Sequence, residues 1–332
     1  MRDRIGRRVL SEILRYQLAR SLGRLGVSTR LSGRAADAQA AYEHDITLYR
    51  RNGEISFGLP ANPSELVFQR RDSITAYLYL FSHCADDVEV ISGVCGDGNY
   101  PSAARFAPSS RSPQVIAIPD RYFILQDGFS RERQMAERSS HAWTERSTEL
   151  VWRGGANGAG IHPQVPEDAL NPRVMQRIRL CMLLKSAPNT DARISSSIDR
   201  NLPLSQLAPL GIVGPERSEH EWLSDRYAID IDGWTNAWSN LMVRMHFGCC
   251  VLKVASADGY RQWWYDRLVP WEHYVPVAAD MSDIVERIDW VRSHDREAEA
   301  IALRGQALVR SMTLASETAI GARIITENWR VT

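Results

Sequence analysis

Apolar residues Ile5, Val9, Leu10, Ile13, Leu14, Leu18 and Leu22 recur at helical spacing near the start of the chain, and Arg4, Arg7, Arg8, Arg15 and Arg20 occupy much of the remaining surface. The pattern predicts a basic amphipathic helix. Such a helix either lies on an anionic membrane surface or packs on a domain with its basic face in water. Further on, the period shortens. DDVEVISGV (86–94) and QVIAIP (114–119) are β-branched runs bounded by Gly, Pro and Ser, and they predict strands, as does ELVWRGG (149–155). NPRVMQRIRLCMLL (171–184) opens with asparagine and proline and then keeps apolar positions at helical spacing, which predicts a helix. ARISSSI (192–198) predicts a strand, SEHEWLSD (218–225) a short helix and YAIDID (227–232) a strand. GWTNAWSNLMVRMHFG (233–248) follows as a helix and CCVLKV (249–254) as a strand. Strand and helix alternate from Glu149 to about Val277, the pattern of a parallel sheet covered by helices. From residue 281 the spacing is helical.

Composition narrows this. A chain of 332 residues is long for one core, so two domains are expected. Forty basic and forty acidic side chains balance, which argues against wholesale nucleic-acid binding. The basic residues are nearly all arginine; Lys185 and Lys253 are the lysines. Cys84, Cys95, Cys181, Cys249 and Cys250 make no CxxC pair, so neither a zinc site nor a disulfide framework is indicated, and buried free thiols in a reducing cytoplasm are expected. No secretory signal is recognised, and no apolar run has the length of a bilayer span.

The stretch from Asp230 to Val254 carries the candidate chemistry. Asp232 and Gly233 follow a strand, and Thr235, Asn236 and Ser239 fall in the first turns of the expected helix. Free N–H groups and a positive helix end there suit a phosphate. Lys253, at the end of the next strand, adds a point charge. The competing account is an aspartate helix cap among ordinary turn residues. The pair Asp230-x-Asp232 also resembles the metal-holding Asp-x-Asp of many sugar transferases, but structural acid or cap is the preferred reading, and no metal is expected. GDGNYP (96–101) lacks the lysine and hydroxyl of a Walker loop and reads as a turn.

VWRGG, YAIDIDGWTNAWSNL, GCCVLKV, GYRQWWYDRLVPWEHYVPV and DMSDIVERIDWVRSHDREAEAIALRG follow one another in an order similar to glycosyltransferase family 90. That family includes bacterial lipopolysaccharide and capsule transferases and the Rumi-type protein O-glucosyltransferases. The likeness runs from about Gln114 to Leu314 and looks closest to the bacterial branch. It implies an α/β protein of the GT-B type, with two Rossmann-like domains facing a cleft and helices at both ends. The expected organisation is an N-terminal helix over 1–36, an acceptor-side domain over 37–145, a nucleotide-sugar domain over 146–310 and a final helix over 311–332. It further implies a UDP-sugar donor, inversion at the anomeric carbon and no metal or other cofactor.

An inverting displacement needs one general base. VIAIPDRYF is similar to the family segment that ends on the catalytic aspartate, and the matching residue is Asp120; Asp127 is the competitor, and a plain turn aspartate is the alternative. The resemblance implies donor binding by Arg153 and the adjacent Gly154, with Arg173 a further diphosphate candidate. Eukaryotic members carry an arginine in the helix after the strand-end glycine, where this chain has Asn240, with Arg244 a turn later. Trp263, Trp264 and Trp271 read as stacking surfaces or as core, and His273 as a residue that shapes its loop. The expected protein is a cytoplasmic glycosyltransferase, peripheral on the inner face of the inner membrane. Its partners would be a UDP-sugar, a glycan or lipid-linked glycan acceptor and an anionic membrane surface, without nucleic acid. The alternative is a protein of the same fold that binds nucleotide sugars, or serves as a scaffold, without catalysis.

Overall fold

The computed structural model describes residues 2–32, 42, 44–58, 70–139, 141–197 and 202–330, with side chains from Glu12 onward. The outer residues of the first helix (Ile5, Val9, Leu10, Arg4, Arg7 and Arg8) therefore lie outside the described side chains, and the last residue of the expected strand 192–198 lies outside the described residues. The chain forms two compact units. One comprises Met1–Gly128, Arg261–Trp263 and Thr313–Thr332; the other comprises Phe129–Tyr260 and Trp264–Met312.

The first unit is built on a mixed sheet. Its strands are β1 (Arg30–Ser32), β2 (Asp45–Arg51), β3 (Glu54–Gly58), β4 (Val90–Val94), β5 (Phe106–Ala107) and β6 (Ile116–Ala117), in the order β1-β3-β2-β4-β5-β6. β2 runs antiparallel to both β3 and β4. The β2–β3 hairpin turns on Asn52 and Gly53, whose φ values of 50° and 75° give the turn the twist of its strands. Ile46, Leu48, Ile55 and Phe57 are buried, and they share a core with the helix Arg71–Ser82, buried from Ser73 to Phe81. Gly93 is required here, because a Cβ would lie 2.4 Å from the Tyr77 ring. That ring is held in place by its hydroxyl, which donates to the carbonyls of Val94 and Phe106.

The helix Arg2–Arg24 belongs to this core. Leu14, Leu18 and Leu22 are at most 1% exposed, so its apolar stripe is used in packing, as the second account of that helix proposed. The final helix, Leu314–Asn328, buries Ala322 and Ile325 in the same core. Among the described residues no helix is long and apolar enough to cross a membrane.

The second unit is a parallel sheet of β7 (Ser147–Gly155), β8 (Thr190–Ser196), β9 (Asp225–Asp230), β10 (Cys250–Val254) and β11 (Val275–Val277), in the order β11-β10-β9-β7-β8. Leu150, Trp152, Ala192, Ile194, Tyr227, Ile229, Cys250 and Leu252 pack in one core with Ile178, Leu180, Cys181 and Leu184 of the helix Gln176–Leu184 and with Ile288 and Val291 of Ile284–Ser293. The helix Ser130–Ser139 and Trp143, assigned from sequence to the first domain, lie in this unit; the Trp143 indole donates to Asp295 at 3.0 Å. The α/β class expected of the chain is what the two sheets show.

Two helices start later than their patterns suggest. Residues 171–175 are held in a turn, where Ile161 donates to Arg173 and Met175 donates to Ile161, and the helix begins at Gln176. Likewise Gly233 donates to the Thr235 carbonyl and Trp238 adopts a left-handed φ of 51°, so the helix expected from 233 begins at Asn240 and ends at His246. Thr235 and Asn236 thus belong to a loop.

Candidate functional site

Counted within the second unit, the strand order is 2-1-3-4-5, and the order reverses between β7 and β9. In open parallel sheets the crevice beyond the carboxyl ends at such a reversal is where ligands bind. Here the crevice is made of the run GGANGAG that begins at the end of β7 (154–160) and the loop Ile231–Ser239 after β9.

Close backbone approach explains the glycines. A Cβ on Gly154 would lie 2.5 Å from the Trp152 ring, one on Gly158 3.0 Å from the Gly233 carbonyl, and one on Gly160 2.6 Å from the Met175 nitrogen. A Cβ on Gly233 would meet the Asn157 side-chain oxygen at 2.4 Å, so Asn157 would have to shift. Arg177 locks the two loops together. Its guanidinium donates to the carbonyls of Asp232 and Ile231 at 2.9 and 3.1 Å and to Asn157 Oδ1 at 2.8 Å. Burial pulls its pKa down, while Asp230 and Asp232 push it up.

Behind the loops sits a charged cluster. Asp230, fully buried, accepts from Lys253 Nζ at 3.0 Å and from Asn240 Nδ2 at 2.9 Å. Lys253, also buried, lies 4.7 Å from the centre of the Tyr265 ring. Burial opposes its charge, but the Tyr265 oxygen, Asp230 and Asp232 outweigh this and raise its pKa. Asp232 is raised by burial, with Lys253 and hydrogen bonds from Ser256 and Asn236 opposing. Asn236 also donates to the Tyr260 carbonyl at 3.1 Å. Two buried oxygens in this neighbourhood, Thr235 Oγ1 and Gln176 Oε1, have no hydrogen-bond partner among the described residues. Buried oxygens without partners are uncommon, and these two remain open to a hydrogen bond from a ligand.

The structure thus brings together Gly154, Asp232, Gly233, Thr235, Asn236 and Lys253 from the expected donor set. Ser239 stands just before the short helix and makes no side-chain cap. Arg173 is exposed on the turn before Gln176. Arg153 is engaged by its own surroundings: its guanidinium pairs with Asp191 and donates to the carbonyls of Asp191, Trp152 and Pro215. Arg244 is placed away from the crevice. It is half-buried with its guanidinium 3.6 Å from the centre of the Trp222 ring, and Asp225, at the opposite end of β9, is among the charges acting on it. Trp264 is core, Trp271 is 38% exposed under Arg287, and His273 accepts from the Val269 N–H, shaping the turn as its sequence suggested. Sequence reasoning missed Arg177, Asn157 and Gln176. The glycine spacing after β7 was the one local signal that could have found that loop.

Asp120 lies in the first unit. It caps the helix Arg121–Leu125, with Oδ1 accepting from the N–H groups of Tyr122 and Phe123 at 2.8 and 3.0 Å. Its Oδ2 accepts from Gln262 Nε2 at 2.8 Å. It is 4% exposed, and burial pushes its carboxyl up to about 6 against the opposing pull of those N–H groups, Arg121 and Gln262. Asp127, the competitor, is exposed in a left-handed turn.

Residues 176–318 match the model described as Glycosyl transferase family 90, so the resemblance seen in the sequence holds over that stretch, which carries β9, β10 and their loops. Protein O-glucosyltransferase 2 of Danio rerio is 38% identical over 86 residues, which is 26% of this chain and 17% of that protein. Protein 035R of Invertebrate iridescent virus 3 is 28% identical over 164 residues, 49% of this chain and 15% of that one. The chain therefore spans less than a fifth of the length of these relatives. Among solved structures, Anabaena HepE in complex with UDP-glucose aligns with a TM-score of 0.37 at 10% identity, over 60% of this chain and 52% of that one.

Proposed function

We propose that the protein is an inverting glycosyltransferase of GT-B architecture, in which the second unit holds a UDP-sugar and Asp120 of the first unit is the general base. What supports this most is the cluster at the β7–β9 reversal, with its glycine loop, its partnerless buried oxygens and its place largely inside the family 90 stretch. In the reaction, the Asp120 carboxylate takes the proton of an acceptor hydroxyl as that oxygen bonds to the anomeric carbon. The bond from that carbon to the diphosphate breaks, and the diphosphate leaves with the electron pair.

Arg177 and Lys253 are balanced by Asp230 and Asp232. Ala156 and Asn157 already donate to the carbonyls of Ser196 and Gly155, so phosphate recognition falls to the backbone N–H groups of residues 158–160 and to Arg173, while Asp232 and Thr235 accept from or donate to hydroxyls of the sugar or the ribose. Asp230 already has both oxygens engaged, which favours a structural acid over a metal ligand. The acceptor is a glycan of the lipopolysaccharide or capsule type, as the bacterial branch suggests. An inner-face location would use the outward side of the first helix, where Ile13 and Tyr16 are 46% and 67% exposed beside Arg20 and Arg24.

The test is a thermal-shift and transfer panel of UDP-glucose, UDP-galactose and UDP-xylose, with the glucose donor first because the Danio relative is named an O-glucosyltransferase. A cognate donor raises the melting temperature by mass action. No shift with any UDP-sugar or with UDP itself would sink the donor site. A shift without transfer to any glycan would favour the inactive binding protein instead.

A further inference from the structure

Between β10 and β11 the chain leaves the second unit for three residues, Arg261–Trp263, which belong to the first. Both neighbours of the middle residue are fixed there. Arg261 exchanges two backbone hydrogen bonds with Ser110, at 2.8 and 3.0 Å. The Trp263 indole donates to the buried Glu317 at 2.8 Å, and its ring meets the edge of Phe123 at 5.4 Å, on the short helix that Asp120 caps. Gln262 between them is 3% exposed. Its amide nitrogen reaches Asp120 Oδ2, and its amide oxygen is buried with no partner among the described residues.

A helix cap accounts for Oδ1 of Asp120 and requires nothing at Oδ2. An amide placed only for packing would not keep a partnerless oxygen, because an unpaired buried acceptor destabilises the fold. Among the described residues the side chain keeps a single hydrogen bond, and that bond goes to the candidate base. We propose that Gln262 is a positioning residue, whose Nε2 fixes the orientation of the Asp120 carboxylate and favours its charged form. This rests on Asp120 being the base, and it adds that the ionisation of Asp120 is set by a residue 142 positions away in sequence. A donor hydrogen bond to a carboxylate lowers its pKa, so losing it raises the pKa.

The experiment follows the Asp120 carboxyl itself, by carbon NMR titration of aspartate-labelled protein, with its resonance identified by its loss in Asp120→Asn. Gln262→Leu should move its midpoint up by about one pH unit, the shift expected for losing one charge-assisted hydrogen bond. The melting temperature should stay level or rise, since the partnerless oxygen goes too. Gln262→Glu, which keeps the shape but sets a second carboxyl beside the first, should raise the midpoint further. In transfer assays the acid limb of kcat/KM should move by the same interval, with KM for the donor unchanged. An unmoved Asp120 titration in both variants would overturn the proposal, as would a fall in melting temperature in Gln262→Leu with no change in titration. The base assignment is judged separately, by transfer in Asp120→Asn.

Discussion

One carboxyl, that of Asp120, caps a helix through Oδ1 and meets Gln262 through Oδ2, and burial sets its ionisation. Its pKa of about 6 in the fold lies above the unfolded aspartate value. The folded state therefore binds the proton more tightly, and the stability this group contributes is greatest below about pH 4 and is lost as pH rises through about 6. As a base it must be ionised, so transfer should fall on the acid side of about pH 6. Asp120→Asn should lower turnover by about a hundredfold or more, while pH–stability curves of the variant should lose the downward slope between about pH 4 and 6. Turnover within tenfold of the original would remove Asp120 from the mechanism. The position of Asp120, after a strand and at the head of a short helix, was legible because a strand, a proline and an aspartate before RYF form a local signal. Arg153 shows the opposite case. Its residue type suits phosphate and its strand end was placed correctly, but its partner Asp191 comes from β8, and no local pattern states which cross-strand side chain will take a guanidinium.

At the scale of elements, β9 and β10 were legible because central parallel strands buried on both faces read as largely apolar runs, and β8, at the edge of the sheet, because buried positions alternate along it. The starts of their helices were not. The loops before Gln176 and Asn240 are set by contacts distant in sequence, such as Asn236 with the Tyr260 carbonyl and Arg177 with the carbonyls of Gly155 and Ile231. The β2–β3 hairpin did carry a local sign in Asn52-Gly53, but one turn among short strands gives little periodicity. The displaced helix start changes how the donor site is tested. Asn236 holds the loop, so its removal would confuse folding with binding, whereas Thr235 Oγ1 is buried without a partner among the described residues. Thr235→Val should leave the melting temperature level or slightly higher, since it removes an unpaired hydroxyl. UDP-sugar affinity by calorimetry should weaken about tenfold, the scale of one lost hydrogen bond; unchanged affinity would move the ligand away from this loop. The first helix makes a second test. Leu18 is fully buried, so Leu18→Ala should cost about 2–5 kcal/mol of stability. Deleting the helix should unfold the first unit, and a truncated protein with intact first-unit structure would return the helix to a surface role.

The whole molecule joins two units whose sequence segments interleave: the first unit takes in Arg261–Trp263 and Thr313–Thr332 from beyond the start of the second. A reading in sequence order places a boundary near residue 145 and a separate final helix, because helices and turns do not announce which core they join. Trp143 is apolar and ready for either sheet; its place is decided by Asp295, 152 positions on. The division of labour between units gives the last prediction. If the donor is held by the second unit alone, donor-linked stabilisation must depend on second-unit residues and ignore the base. At a UDP concentration about a hundred times Kd, linkage contributes about 2.7 kcal/mol to the state that binds it. The melting-temperature rise given by UDP should therefore be the same in Asp120→Asn as in the original protein. At that same concentration it should shrink in Thr235→Val, by about 1.4 kcal/mol if affinity falls tenfold. Arg177→Met should abolish it, because the two loops lose their common clamp. If Asp120→Asn erased the UDP-dependent rise while Thr235→Val kept it, the nucleotide would belong to the first unit, and the assignment of base and donor sites would have to be exchanged.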